Sequence, residues 1–466
     1  MKKSNSPANK HRVVRGSFRD PAGFVFRASN GELRRQVSAA GAEDFEHFLS
    51  SGLYEKLSSG TKLVSHERLT PHHAVTSNAH TVIRPAVVPY ITYPFEWSFS
   101  QLQDAALLTL DIQKQALKHN MTLKDASAYN VQFMDGRPIF IDTLSFERYT
   151  PGAPWQAYRQ FCQHFLAPLA LMAYSDLDLL QLMRVHLDGV PLELAVKLLP
   201  RKARLKPSLM MHLVLHARAQ KAKASTHERS NKQLKQSGLE AILDSLERTI
   251  RRLKPLQTKT EWADYYEGNT NYTVDAADQK AKLVRQFAKP LLATTALDLG
   301  GNDGRYSRVL NKLGVSTICT DIDPNAVEAN YRHMKEQGET AMLPLVVDLT
   351  NPGGALGWHN LEREPIHERL QCDLVLALAI IHHLVISNNL PFASVAEYFS
   401  VFAPYLIIEF VPKEDSQVQK LLATRKNTFP DYTETAFTQA FEQYYKPVRH
   451  ARIPHTKRTL YLYKRK

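Results

Sequence analysis

Asp298, Gly300, Gly301, Asp303 and Gly304 stand together in the run Leu-Asp-Leu-Gly-Gly-Asn-Asp-Gly at 297–304. An apolar run ends at Leu299, and a helical pattern begins at Tyr306. Glycine lets backbone approach a ligand with no Cβ in the way. Asp321 and Ile322 follow a second apolar run, 23 residues beyond Asp298. A carboxylate there is suited to accept hydrogen bonds from ribose hydroxyls. Asp348 and Leu349 close a third apolar run, and a fourth, at 373–378, leads into Ala379-Ile380-Ile381-His382-His383-Leu384. An unperturbed histidine titrates at about 6.5, so His382 or His383 could take a proton from a hydroxyl acceptor. Glu409, at the end of a fifth run, is a further candidate. A second constellation lies upstream: Asp125 and Asn130, five apart, then a hairpin signature around Asp135-Gly136, then Asp142.

These residues need elements to hold them. A strand, a glycine turn, a helix and a strand ending in an acid are how a Rossmann-type sheet holds a nucleoside. From 261 to 466 strand and helix patterns alternate, which predicts α/β architecture on a mainly parallel sheet. Asp323 reads as an N-cap with Pro324 as the first helical residue. Two short runs, at 448–453 and 459–463, read as a hairpin on the sheet edge. Upstream, 1–16 reads as a disordered tail and 17–150 as an α+β domain. That domain has a strand at 23–26, a helix at 44–57 and a longer helix at 98–119. Residues 151–260 read as a helical region and basic linker, broken at Pro191, Pro200 and Pro207. The aromatics Trp262, Tyr265, Tyr266 and Tyr272 could form a lid or simply core.

The chain has 466 residues, 44% of them hydrophobic and 23% charged, which fits a soluble globular protein of two or three domains. No apolar run approaches the roughly 20 residues of a membrane span. The basic, polar start lacks the apolar core of a secretory signal. Cys162, Cys319 and Cys372 are far apart, so neither a disulfide framework nor a structural zinc site is expected. A reducing cytoplasm fits best. The net charge is +13, and residues 201–260 hold fifteen Lys/Arg against four Asp/Glu. Such a stripe reads either as a solvated helical linker or as a nucleic-acid arm, and it lacks interleaved aromatics for base stacking.

The four elements in order make 261–466 similar to a class I S-adenosylmethionine-dependent methyltransferase. The family usually shows an acid followed by Gly-x-Gly-x-Gly; here the middle glycine is Asn302. The resemblance implies S-adenosylmethionine as cofactor and assigns roles. Gly300, Gly301 and Gly304, with Asp303, shape the loop under the methionine part. Asp298 orients that loop or the amino group. Asp321 binds the ribose and Asp348 the adenine amino group. Ile322 and Leu349 sandwich the adenine, and backbone around Leu378 and Ala379 holds the amino acid. The Asn/Asp-Pro-Pro-Tyr signature of amino-nucleobase methylation is absent. The arrangement resembles a nodulation-associated group of bacterial methyltransferases, which implies a small-molecule or saccharide acceptor. RNA or DNA modification with 201–260 as an arm is the alternative. The stretch 98–147 resembles the catalytic segment of the kinase and aminoglycoside-phosphotransferase fold, in which Asp125 would meet the substrate and Asn130 and Asp142 would hold Mg²⁺. Leu123 and Lys124 depart from that family's pattern, and no glycine-rich loop stands at 17–30. A third reading is therefore a kinase-like binding module carrying a vestigial methyltransferase.

Overall fold

Apolar runs in the C-terminal half produce a seven-stranded sheet in the computed structural model. The structure describes residues 11–219, 234–256, 274–423 and 429–466. The strands among the described residues are numbered in chain order. The large sheet comprises β10 (Thr295–Leu299), β11 (Ser316–Asp321), β12 (Met342–Val346), β13 (Leu374–Ala377), β14 (Tyr405–Phe410), β15 (Tyr445–Arg452) and β16 (Thr459–Arg465). Its order is β12-β11-β10-β13-β14-β16-β15. The first five strands pair in parallel, and β16 and β15 add an antiparallel hairpin. Strand order reverses on either side of β10, which opens a crevice beyond the carboxyl ends of β10 and β13.

Both faces of this sheet are covered, as a parallel sheet requires. Ala296, Leu374, Leu376 and Ile407 point into one core with Val284, Phe287 and Leu310. Leu297, Leu299, Val375, Ala377 and Ile408 point into the other. That second core continues without a break into the N-terminal half through Met334, Met342, Trp97 and Phe133.

The N-terminal half is α+β. Its five-stranded antiparallel sheet consists of β1 (Arg12–Val13), β2 (Gly23–Arg27), β3 (Leu33–Ser38), β4 (His66–Leu69) and β5 (Ala79–Pro85), ordered β1-β2-β3-β5-β4. Then come the helix Phe99–Lys118, the pairs β6 (Met121–Leu123) with β9 (Phe146–Arg148), and the hairpin β7 (Val131–Met134) to β8 (Arg137–Phe140). The long helix starts at a capping box: Ser98 Oγ accepts from the Gln101 N–H, and Gln101 Oε1 accepts from the Ser98 N–H at 2.8 Å. The same Gln101 side chain donates to the Pro344 carbonyl on β12 at 3.0 Å, so the N-terminal half covers an edge of the large sheet.

Three expectations change. The helix expected at 44–57 is two helices, Ala42–Ser50 and Leu53–Ser59, because Gly52 adopts left-handed backbone at φ +79°. Of the tail expected at 1–16, Arg12 and Val13 pair with β2, while residues 1–10 lie outside the described residues. Within the expected basic linker, the helix Gln236–Arg252 buries Leu239, Leu243, Leu246 and Ile250 in the main core. Residues 220–233, which lie within the basic stretch, and the aromatics at 262–272 lie outside the described residues. Among the described residues no helix is long and apolar enough to cross a membrane.

Candidate active site

The strand ends of β10, β11 and β13 surround a cavity of about 340 Å³. Asp298, Gly300, Gly301, Asp321, Ile322, Asp348, Leu349, Ala379 and His383 line it. Asp303 and Gly304 do not; they build the turn behind it. The Asp303 carboxylate accepts from the Arg305 N–H at 3.1 Å, and Gly304 stands at the start of the helix Arg305–Asn311.

Gly301 shows why the loop tolerates no side chain. A Cβ there would come within 2.5 Å of Cys319 Sγ and 2.9 Å of Asp298 Cγ. Asn302 is accounted for by its backbone, which is left-handed at φ +50°, a region asparagine enters more readily than most residues. Its N–H donates to Asp321 Oδ2 at 2.9 Å, and its side-chain oxygen accepts from the Asp303 N–H at 2.9 Å. The loop is thereby bound to the acid at the end of β11.

The acids differ in environment. Burial pushes the Asp298 carboxyl up to about 7, although the Ser307 hydroxyl donates to it at 2.7 Å. Burial likewise raises Asp321 to about 6, partly offset by the N–H groups of Asp323 and Asn302. Asp348 both lines the cavity and closes a turn, accepting from the Thr350 N–H at 2.8 Å and its hydroxyl at 2.7 Å. Ala379 is held at φ +52°, a strained conformation at the carboxyl end of β13.

The two histidines part company. Their rings lie 4.1 Å apart between centroids. His383 lines the cavity; His382 is fully buried outside the lining, and among the described residues neither of its ring nitrogens has a hydrogen-bond partner. Burial, reinforced by Arg458, lowers His383 to about 4, so it is neutral at physiological pH. Glu409 is also fully buried away from the lining: one oxygen pairs with Lys280 and the other accepts from Arg458 at 3.2 Å. That placement removes it as a base. Lys280, Tyr306, Ser387, Asn388 and Leu421 also line it without having been singled out from the sequence as site residues. Lys280 was detectable: it falls on the stripe Ala277, Lys280, Val284, Phe287 of the helix Val274–Ala288, whose other members are buried.

The upstream constellation is built differently. Asp142 receives Arg35 at 2.5 Å, and Arg35 also reaches Asp20 at 3.1 Å. The Leu144 N–H donates to Asp142 at 2.8 Å. Asp125 accepts from the Ser127 N–H at 2.9 Å, and Asn130 donates to Ser145 Oγ at 3.1 Å. The elements are placed as the kinase-like resemblance implies, but a guanidinium from β3 stands at the acid that would hold a metal. Among the described residues no three His, Cys, Asp or Glu side chains group to hold a metal ion.

Over 462 residues the chain is 37% identical to the nodulation protein NoeA of Rhizobium meliloti (strain 1021), covering 97% of this chain and 96% of that protein. The chain belongs to the NoeA family. No protein-family model matches it. Solved structures that it resembles include WbdD bound to a kinase inhibitor (TM-score 0.31, 16% identity, 40% of this chain and 41% of that one). Another is the N-methyltransferase NodS of Bradyrhizobium japonicum WM9 (TM-score 0.31, 10% identity, 41% and 96%). A third is PH0226 of Pyrococcus horikoshii OT3 (TM-score 0.33, 15% identity, 44% and 97%). The fold assignment stands on the sheet itself: its order, its antiparallel last hairpin and its cavity are those of the Rossmann-like methyltransferase sheet.

Proposed function

We propose that this NoeA-family protein binds S-adenosylmethionine in the cavity between β10, β11 and β13 and transfers its methyl group to a small-molecule or saccharide acceptor. The observation that carries the reading is the convergence of Asp298, Asp321 and Asp348 from three separate strand ends on one cavity under a loop closed to side chains. Such acids suit a ligand with an ammonium, ribose hydroxyls and an adenine amino group. Ile322 and Leu349 supply apolar surface for the ring.

The bound cofactor would supply an already activated methyl group, so the protein's work is alignment and exclusion of water. Gly300 and Gly301 let the backbone approach the methionine part. Asp321, held by the N–H groups of Asn302 and Asp323, orients the ribose. His383, Ser387 and Asn388 form the polar part of the wall beyond β13 and would face the acceptor. His383 is neutral, and its lowered proton affinity makes it a weak base, suited to orienting a hydroxyl more than to taking its proton.

Incubating the protein with deuteromethyl-labelled cofactor and extracts of small molecules, saccharides and RNA, followed by mass spectrometry, tests this. One labelled methyl on a saccharide or other small molecule is expected. Label only on RNA would favour the nucleic-acid alternative, and label on nothing would sink the transferase reading.

A further inference from the structure

A second cavity, of about 460 Å³, shares no lining residue with the one between β10, β11 and β13. It lies among the helices Leu192–Leu198 and Arg201–Arg204 and the segment Met210–Leu215. Its lining is of two kinds. Val196, Leu205 and Met210 supply apolar surface. Lys197, Arg201, Arg204 and Arg218 supply positive charge, set against a single lining acid, Glu193. Leu205 stands at the corner where one short helix ends and Pro207 opens the next, and it is 71% exposed. Lys202, Arg204 and Lys206 flank it in the chain. One exposed aliphatic side chain is ordinary on a protein surface. Here Leu198, Met211 and Leu215, in the same stretch, are exposed as well. The cations are not spent inside the fold. Among the described residues no ion pair engages Lys197, Arg201, Lys202 or Arg218. Arg204 donates to the Leu199 carbonyl at 2.8 Å, which leaves its charge unmatched.

Exposed aliphatic side chains set among cations match the boundary of an anionic bilayer, where phosphate head groups lie above acyl chains. Single-stranded nucleic acid would call for aromatic platforms under its bases, and among the described residues no aromatic side chain lines this cavity. We propose that this face docks the protein on an anionic lipid surface, with Leu205 entering the head-group layer and Arg201 and Arg218 meeting lipid phosphates. Docking of this kind lies in the plane of the interface and needs no membrane-spanning helix. It is independent of the cofactor reading above.

A net charge of +13 draws the chain towards any anionic surface, so the test compares equal charge changes at two places. Flotation of the full chain with vesicles of phosphatidylglycerol and phosphatidylcholine in equal parts, and with phosphatidylcholine alone, reads the binding. At physiological salt the anionic vesicles are expected to bind about tenfold or more tightly than the neutral ones. Arg201→Glu/Arg218→Glu should weaken binding to the anionic vesicles about tenfold or more, and Leu205→Ser about threefold to tenfold. Lys446→Glu/Arg452→Glu makes the same charge change at exposed positions of β15 and should leave binding within about twofold. The substituted side chains are all exposed, and thermal unfolding checks that the variants fold. Equal losses in the two double variants would reduce the effect to net charge and overturn the proposal. Leu205→Ser without effect, or no binding to either vesicle, would overturn it too. Binding of a single-stranded RNA that falls in Arg201→Glu/Arg218→Glu while vesicle binding does not would overturn it in favour of nucleic acid.

Discussion

The chain carries two clusters of acids at the ends of short elements, and they are finished in opposite ways. At the carboxyl ends of β10, β11 and β12, Asp298, Asp321 and Asp348 face a cavity. In the N-terminal half, Asp142 is met by Arg35, and Asp125 and Asn130 are tied to Ser127 and Ser145. Both look like ligand sites when read as spacing alone. What separates them is the counter-charge. Burial pushes the Asp142 carboxyl up, but Arg35 and the Leu144 N–H outweigh it and hold it below the ordinary carboxylate range. Asp298 and Asp321 lack such a full neutralisation and stay raised, which is the condition of acids arranged for a cationic or hydroxylated guest. Spacing identifies a scaffold; the partner already present in the fold tells whether the scaffold is open to a ligand.

The largest expected effect comes from closing the open site. Gly301→Ala drives a Cβ into Cys319 and the Asp298 carboxyl, and should reduce S-adenosylhomocysteine affinity by about a hundredfold while costing about 2 kcal/mol of stability or more. Calorimetry and thermal unfolding read the two effects. Next, Arg35→Ala should cost about 3–5 kcal/mol of unfolding free energy by leaving Asp142 and Asp20 without their cation. It should leave cofactor affinity unchanged in the folded fraction, and a parallel loss of affinity would tie the two regions together.

The pH dependence of the two acids has opposite sign. Asp298 has a raised folded-state value of about 7, so the folded form holds its proton more tightly than the unfolded chain. Its contribution is most favourable below the ordinary carboxylate value and is lost as pH rises towards about 7. Asp142 is lowered, so its contribution is present above the ordinary value and is lost as pH falls through its folded value. Asp298→Asn should therefore gain stability at about pH 8 relative to the native chain, whereas Asp142→Asn should lose it. Denaturant titrations at several pH values check both signs. Among the smaller effects, His383→Ala should lower turnover by about tenfold to a hundredfold with little change in cofactor affinity, and His382→Ala should act mainly on stability. A variant of His382 that lost turnover at full stability would reverse that assignment.

The acids of the large sheet were legible because each follows an apolar run, and strands buried on both faces read as such runs. The hairpin β15–β16 and the cap at Asp323 were legible for similar local reasons: two short runs near the end, and an Asp-Pro step. Of the N-terminal sheet only the strand at 23–26 was legible. β3 reads Leu-Arg-Arg-Gln-Val-Ser, and its polar residues are buried because distant partners meet them: Arg35 reaches Asp20 and Asp142, while Gln36 accepts from the N–H of Val75 at 2.8 Å. Nothing local announces such pairs. Arg458 and Asp415 are the same case, and Lys280 is intermediate, since its place on an apolar stripe is visible while its partner Glu409 is not. The departure at Asn302 could be read only as a mismatch until the left-handed backbone supplied its reason.

The central claim is that the acid at the end of β11 helps hold S-adenosylmethionine in the cavity above β10. Calorimetric titration of the full chain and of Asp321→Ala with S-adenosylhomocysteine tests it most directly. The account predicts one site per native chain and a loss of about a hundredfold or more in the variant, the scale of two charge-assisted hydrogen bonds. No heat of binding to the native chain, or equal affinity in the two proteins, would contradict it.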